Sequence, residues 1–213
     1  QCGTNPQNQN KQDTQTLLEL AKAQGWGTGV VTTTRITHAT PASTYAHICH
    51  RDAENDIASP LVPSSQGDIY QRYNVKLKDG VDVILGGGKR QFLPKDQGGE
   101  RIDQRNLIAE MQQAGYRVVY DQTQLSQMKL GKNEKLLGLF NTSHLNYDLD
   151  RTKKNLPEPS LKQMTLAALD ILTQNKNGFL LMVEGGRIDY ALHDTNAKRA
   201  LQDTIALNEA LHA

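Results

Sequence analysis

The sequence predicts an α/β fold in which a doubly wound, mostly parallel sheet carries helices on both faces. Three observations lead to this prediction: helical and extended patterns alternate along the chain, the extended runs are apolar or β-branched, and several of them end in glycine or charged residues. Alternating strands and helices are typical of βαβ units, in which parallel strands are covered on both faces. Ligands bind such sheets beyond the carboxyl ends of the strands, so functional residues are expected in those segments.

The first half of the chain supplies one helix and two strands. The helix is predicted to begin near Asp13, a good N-cap residue, and to end at Gly25. The β-branched run 30–34 is the first predicted strand, and the apolar run 81–85, which leads into glycines, is the second. Stretches rich in Asn, Gln, Pro and Ser are predicted to be loops, and they cover residues 5–12 and 55–67.

The second half continues the alternation. A helix over 106–113 precedes a strand at 117–120, and a further short strand is predicted at 135–140. A longer helix is predicted from about Ser160. The apolar run 179–183, which follows it, is predicted to be a buried central strand.

The composition bounds the class of the protein. The length of 213 residues allows a sizeable core, and we assign residues 1–213 to a single α/β domain. Because 24 Lys and Arg balance 23 Asp and Glu, no overall field would hold the chain on nucleic acid or an anionic membrane. The aromatic content of 5% argues against a stacking surface for single-stranded nucleic acid. No apolar run reaches the roughly 20 residues of a membrane-spanning helix.

The chain has two cysteines, Cys2 and Cys49. They are too few for a disulfide scaffold and too far apart for a metal knuckle of the CxxC type. They could form one bridge or remain two separate thiols. The cysteine count therefore leaves the redox compartment open.

The densest cluster of metal-ligand side chains follows the last predicted strand. Glu184 stands at the end of the apolar run, where a charge is costly unless it is paired or bound to a cation. Asp189 and His193 are four residues apart, so on a helix they project from one face and can bind one metal ion. An Asp oxygen with a His nitrogen suits zinc, whereas a carboxylate with hydroxyl and water oxygens suits magnesium. The alternative is an exposed Asp-His pair on a helix, with Arg187 paired to Glu184.

A second polar segment follows the first predicted strand. Thr40 and Pro41 are predicted to start a helix, with Thr40 as its cap, and Arg51 would lie roughly three turns along it. The Arg51 guanidinium could be a plain surface charge, but its parallel donors also suit a phosphate dianion. The glycines at 86–88, with two basic residues after them, lack the phosphate-loop pattern and are predicted to form a strand-end turn.

Together these segments resemble the alkaline phosphatase family. The motifs that carry the resemblance follow the family order over most of the chain: Thr32-Thr33-Thr34-Arg35, His38-Ala39-Thr40-Pro41, Tyr45-Ala46-His47 through Arg51, and Val183-Glu184-Gly185-Gly186-Arg187-Ile188-Asp189 with His193. The resemblance implies a phosphomonoesterase with two zinc ions and one magnesium ion at each site. In this family a serine attacks phosphorus, and water then hydrolyses the phosphoseryl intermediate.

The resemblance also implies the roles of individual residues. Thr40 and Glu184 match magnesium ligands, while Asp189 and His193 match two ligands of the zinc that faces the leaving group. Arg51 matches the arginine that clamps the phosphate. His38 and Tyr190 occupy two places beside these ligands that vary within the family. They are expected to tune metal affinity and turnover.

By resemblance, the nucleophilic serine lies upstream of Gln1, and the remaining zinc ligands lie downstream of Ala213. We therefore expect an internal, incomplete segment of a larger phosphatase domain, without turnover of its own. The parent is expected to be a periplasmic or secreted homodimer that acts on small phosphomonoesters.

Asn141, which replaces an acidic ligand, makes the calcium site of some eukaryotic members doubtful, and no cysteine near Ser65 or Gly67 supports the disulfide of animal members. Alternatives are a related phosphodiesterase, sulfatase or mutase, and a non-catalytic domain with the same fold.

Overall fold

The structure, a computed structural model, describes residues 14–63, 75–77, 79–129, 131 and 134–213. Five strands form one sheet: β1 (Gly27–Arg35), β2 (Val83–Gly87), β3 (Tyr116–Val119), β4 (Lys135–Leu139) and β5 (Phe179–Glu184). Their order is β3-β4-β2-β1-β5, and every pairing between them is parallel. The predicted parallel sheet is therefore confirmed.

Helices alternate with these strands along the chain. In chain order they are α1 (Leu17–Ala23), α2 (Ala39–Ala42), α3 (Glu54–Ala58), α4 (Leu107–Gln113), α5 (Gln122–Gln127), α6 (Asp148–Lys153), α7 (Leu161–Leu172), α8 (Arg187–His193) and α9 (Ala197–Leu211). Within the described ranges, no helix is long and apolar enough to cross a membrane.

Two apolar cores lie on opposite faces of the sheet. Neighbouring residues of a strand point to opposite faces, and Val30 accordingly joins one core while Val31 joins the other. The first core includes Leu18 of α1 and Leu107 of α4, and the second includes Leu161 of α7. Helices therefore cover both faces, as the doubly wound prediction requires.

The first helix begins later than its sequence pattern suggested. Thr16 is its N-cap: the Thr16 hydroxyl accepts the amide of Glu19 at 3.2 Å, and the Glu19 carboxylate accepts the amide of Thr16 at 2.8 Å. This reciprocal capping box fixes the start at Leu17. The predicted start near Asp13 is wrong, and Asp13 itself lies outside the described residues, as does the predicted loop 5–12.

The segment after β1 also differs from its prediction. Helix α2 ends at Ala42 and its N-cap is His38, so Thr40 is not the cap and Arg51 does not lie on this helix. The hydroxyls of Ser43 and Thr44 donate to carbonyl oxygens three residues earlier, at 2.8 and 2.7 Å. Such bonds compete with the helical ladder and favour an end to the helix.

The predicted loop 55–67 is partly helical. Helix α3 and a short 3-10 turn at Ser59–Leu61 occupy its first part. The buried Arg101 guanidinium donates to the carbonyl of Asn55 at 2.7 Å and to the Ser59 hydroxyl at 3.2 Å. These contacts stabilise the turn, and they cannot be predicted from local composition because Arg101 is more than 40 residues away in sequence. Residues 64–67 of the predicted loop lie outside the described part of the chain.

Strand β5 is an edge strand of the described sheet, not the predicted central strand. All six of its residues are half-buried. An apolar run indicates that both faces of a strand are covered. It does not indicate whether a neighbouring strand pairs with each of its two edges. The pairing with β1 places Glu184 directly opposite Thr32 at the carboxyl edge of the sheet.

Candidate functional site

The carboxylate of Glu184 is held by two hydroxyls of the neighbouring strand. Its Oε2 accepts hydrogen bonds from Thr32 at 2.6 Å and from Thr34 at 3.1 Å. Both threonines are buried, and alternate residues of β1 place them on the same face. A β-carbon on Gly186 would lie 2.3 Å from the Thr34 methyl group, so only glycine lets the chain pass this close to Glu184.

A second cluster joins three of the residues that the sequence singled out. The Tyr190 hydroxyl lies 2.9 Å from Nε2 of His38, and Nη2 of Arg51 lies 3.3 Å from the same atom. Because a guanidinium can only donate, Nε2 accepts and the neutral His38 ring carries its proton on Nδ1. Among the described residues, that buried Nδ1 has no hydrogen-bond partner.

Asp189 and His193 share one face of α8, as their spacing predicts. Oδ1 of Asp189 lies 3.6 Å from Nε2 of His193, and their side chains are 70% and 78% exposed. The described residues contain no group of three or more His, Cys, Asp or Glu side chains that could hold a metal ion. The pair therefore offers two ligands that open to solvent.

Thr40 stands apart from these groups. It is exposed on α2, two residues after His38, and its carbonyl accepts the Ser43 hydroxyl. In the part of the chain that the structure describes, no hydrogen bond joins Thr40 to Glu184. The structure thus brings His38, Arg51 and Tyr190 into direct contact, while Thr40 remains a separate candidate ligand.

Arg187 does not pair with Glu184 as the alternative interpretation had it. Its guanidinium lies over the Tyr147 ring, 3.8 Å from the ring centroid, and 5.1 Å from that of Tyr190. Its backbone amide donates to the Thr33 hydroxyl at 3.2 Å. Arg187 therefore fixes the start of α8 against β1 and the loop after β4.

Three further site residues escaped the sequence interpretation: Arg35, Glu54 and His144. The Nε and Nη2 atoms of Arg35 donate to the Glu54 carboxylate at 2.7 to 3.0 Å. The His144 ring centroid lies 4.4 Å from that of Tyr190. His144 follows β4 at the carboxyl edge of the sheet, so the rule that led to Glu184 could also have identified it.

Cations and neutral imidazoles dominate the electrostatics at this edge. Burial, and then the nearby Arg35, lower the pKa of His38, while Glu184 opposes that shift. The same two causes, with Arg187, lower the pKa of His144 to about 3. Guanidinium groups beside uncharged rings favour an anionic ligand, and the carboxylate of Glu184 favours a cation next to it.

Comparisons with known proteins agree on one family. The family model described as alkaline phosphatase matches residues 3–213. The chain is 38% identical to the tissue-nonspecific alkaline phosphatase of Rattus norvegicus, with 92% of this chain and 40% of the rat protein covered. It is 41% identical to alkaline phosphatase 4 of Bacillus subtilis, with 96% and 39% covered. The crystal structure of Thermus thermophilus alkaline phosphatase matches with a TM-score of 0.76 and 39% identity, over 90% of this chain and 36% of that one.

The chain spans about two fifths of the length of the curated relatives that it matches. Within that span, the parallel sheet and the family match agree with the predicted resemblance. The matched range includes Thr32, His38, Arg51 and Glu184. The chain therefore belongs to the alkaline phosphatase family.

Proposed function

We propose that the protein containing this chain hydrolyses phosphate monoesters of small molecules. The observation that carries the proposal is the contact between Arg51, His38 and Tyr190 at the same sheet edge as the Glu184 carboxylate. A guanidinium that can hold phosphate oxygens thus lies on the same side of the fold as a carboxylate that can hold a cation. Phosphoryl transfer needs both kinds of group, because negative charge redistributes over the phosphate oxygens.

The residues present fit metal ions. Glu184 is oriented by two hydroxyls, beside a glycine that packs closely against Thr34, and Asp189 and His193 face each other on an exposed helix surface. We assign Thr40 and Glu184 to magnesium, and Asp189 and His193 to zinc. When bound, two zinc ions and one magnesium ion would stabilise charge on the attacking and leaving oxygens.

The remaining residues act on the substrate and on the ligands. Arg51 holds the phosphate oxygens with parallel donors, and His38 accepts from its guanidinium, which limits the orientations open to that side chain. Tyr190 fixes the His38 ring through its hydroxyl. In this proposal a serine outside the chain supplies the nucleophile, and a phosphoserine forms and is hydrolysed.

The activity can be tested with nitrophenyl phosphate as substrate. We expect turnover by the full-length protein that is lost on chelation and restored by zinc with magnesium. Arg51→Ala should raise KM and the inhibition constant of inorganic phosphate while metal content stays unchanged. Arg117→Ala is a matched control, since Arg117 is an exposed partner of Glu134 at 3.8 Å. Loss of zinc from Arg51→Ala would instead assign Arg51 a structural role.

A second expectation concerns the 213-residue chain by itself. Because it spans about two fifths of its relatives' length, we expect no phosphomonoesterase turnover from it alone. The measurement is nitrophenyl phosphate hydrolysis by the rigorously purified chain. Serine-dependent turnover there would contradict this part of the proposal.

Export and assembly complete the proposal. Cys49 is disulfide-bonded, and the chain's other cysteine, Cys2, lies outside the described residues. Disulfides persist in oxidising compartments, which supports a periplasmic or secreted protein. We further propose that the full-length protein is a homodimer, and its mass in solution tests this.

A further inference from the structure

His144 lies where three strand ends meet. It belongs to the loop between β4 and α6, and its ring lies beside Arg35 at the end of β1 and beside Tyr190 on α8, the helix that follows β5. The motifs that indicate the family do not include this residue. Two chains of contacts nevertheless connect it to His38 and Arg51, the residues proposed to hold and orient the phosphate.

The first route runs through the backbone of β1. Nδ1 of His144 accepts the amide of Arg35 at 3.2 Å. The carbonyl of Arg35 in turn accepts the amide of His38 at 2.9 Å, which closes the turn into α2. The Arg35 side chain is held by Glu54, and its Nη1 also contacts Nε2 of His144, so the imidazole meets both the main chain and the side chain of Arg35.

The second route runs through packed rings. The His144 ring is tilted by 52° against Tyr190 at a centroid distance of 4.4 Å, and it meets His38 edge to face at 5.5 Å. The Tyr190 hydroxyl then lies 2.9 Å from Nε2 of His38, the atom that also faces Arg51. Both routes therefore converge on His38, the first on its backbone amide and the second on its ring.

We propose, on the basis of the proposed function, that His144 is a positioning residue that keeps His38 and Arg51 oriented for phosphate. His144 itself does not touch the phosphate. Its effect passes through Arg35 and Tyr190 to the ring that orients the Arg51 guanidinium.

The loop that carries His144 has its own anchors, so loss of the ring leaves the loop in place. The amide of Leu145 donates to the carbonyl of Thr33 at 3.0 Å, and the amide of Gly88 donates to that of Ser143 at 2.8 Å. These bonds involve only the main chain. A substitution at position 144 therefore tests the ring and its nitrogen rather than the folding of the loop.

The test measures the dissociation constant of inorganic phosphate for the full-length, metal-loaded protein by calorimetry. We expect His144→Ala to weaken phosphate binding about tenfold, with zinc and magnesium content unchanged. His144→Phe keeps the ring route and His144→Asn keeps a hydrogen-bond acceptor, so each should recover part of the loss. Because Tyr190 carries one route, the effects of His144→Ala and Tyr190→Ala should combine to less than their product.

Tyr116→Phe is the matched control for stability. The buried Tyr116 hydroxyl donates to the carbonyl of Val81 at 2.6 Å, and Tyr116 opens β3 at the amino edge of the sheet, away from the site. It should lower the unfolding midpoint and leave phosphate binding unchanged. If His144→Ala behaves in the same way, or if its effect multiplies fully with that of Tyr190→Ala, the positioning role is refuted. A wild-type protein that neither binds phosphate nor hydrolyses the ester refutes the proposed function itself.

Discussion

Glu19 and His47 form a buried pair in which the Glu19 carboxylate Oε1 lies 2.7 Å from the His47 imidazole Nε2, at hydrogen-bond distance. The side chains are 0% and 9% exposed. Glu19 belongs to α1, where it also completes the capping box, and His47 lies in the segment that leads from α2 to Arg51. The pair therefore ties the first helix to the segment that carries the proposed phosphate ligand.

Removing His47 should destabilise the protein strongly. His47→Ala leaves the buried Glu19 carboxylate without one of its hydrogen-bond partners, and we expect the free energy of unfolding to fall by about 3 kcal/mol. Urea denaturation measures this change. His50→Ala is the control: His50 is 74% exposed and 3.7 Å from Asp52, so its removal should change stability by less than about 0.5 kcal/mol. Equal effects of the two substitutions would contradict the structural role of the pair.

Asp203 should make stability depend on acidic pH. The residue is 4% exposed. Burial, with smaller contributions from Asp148 and Asp150, raises its pKa from 3.8 to about 6, although the amide of Asp148 and the charge of Arg187 act in the opposite direction. Between these values the folded chain holds a proton that the unfolded chain has released. The stabilisation that this proton gives the folded chain is complete below about pH 4 and is lost as the pH rises through about 6.

The free energy of unfolding should fall by about 3 kcal/mol over this range, because one pKa unit corresponds to about 1.4 kcal/mol. Asp203→Asn should flatten the dependence between pH 4 and 6, as measured by urea unfolding at a series of pH values. Asp170→Asn, on the exposed face of α7, is the control and should leave the profile unchanged. The assigned shift would be contradicted if, between pH 4 and 6, the stability of the wild type rose with pH relative to that of Asp203→Asn.

The sequence predicted most of the sheet because strands and helices carry their own local signals. The run 30–34 lies inside β1, and Ser160 caps α7 through a box with Gln163. It failed where individual side-chain contacts or the strand order decide. The Glu19 carboxylate moves the start of α1 to Leu17, and Ser43 with its neighbour favours the early end of α2. The edge position of β5 depends on strand order, which no local pattern encodes.

The candidate site was predictable for a different reason. Glu184 ends strand β5, and Asp189 and His193 lie on the helix that follows it, so the rule about carboxyl ends and the helical spacing are enough to select them. The contacts of Arg35 and His144 join segments 109 residues apart. Their contact depends on the fold, although the position of His144 after β4 was a signal that the strand-end rule could have used.

The hydroxyl of Thr32 should control how Glu184 binds a cation. Thr32→Val keeps the size of the buried side chain but removes the hydrogen bond of 2.6 Å to Oε2. We expect magnesium affinity to fall by about tenfold, because outer groups that orient a ligand have effects of this order. Calorimetric titration of the metal-free protein with magnesium measures the change.

Thr165→Val is the matched control for that substitution. The buried Thr165 hydroxyl donates to the carbonyl of Leu161 within α7, at 2.9 Å and away from the site. This variant should lose some stability and keep its magnesium affinity. If the two variants bind magnesium equally well, Thr32 does not orient the carboxylate.

Gly186 should be essential for the placement of α8. An alanine β-carbon there would lie 2.3 Å from the Thr34 methyl group and 2.9 Å from the carboxyl carbon of Glu184, so α8 must move away from β1. We expect Gly186→Ala to weaken zinc binding by about tenfold or more, since Asp189 moves with the helix. Gly131→Ala is the control, because its β-carbon would meet only ordinary contact at 3.5 Å. Zinc titration with a competing chelator compares the two variants, and unchanged affinity in Gly186→Ala would show that α8 does not depend on this close approach to present its ligands.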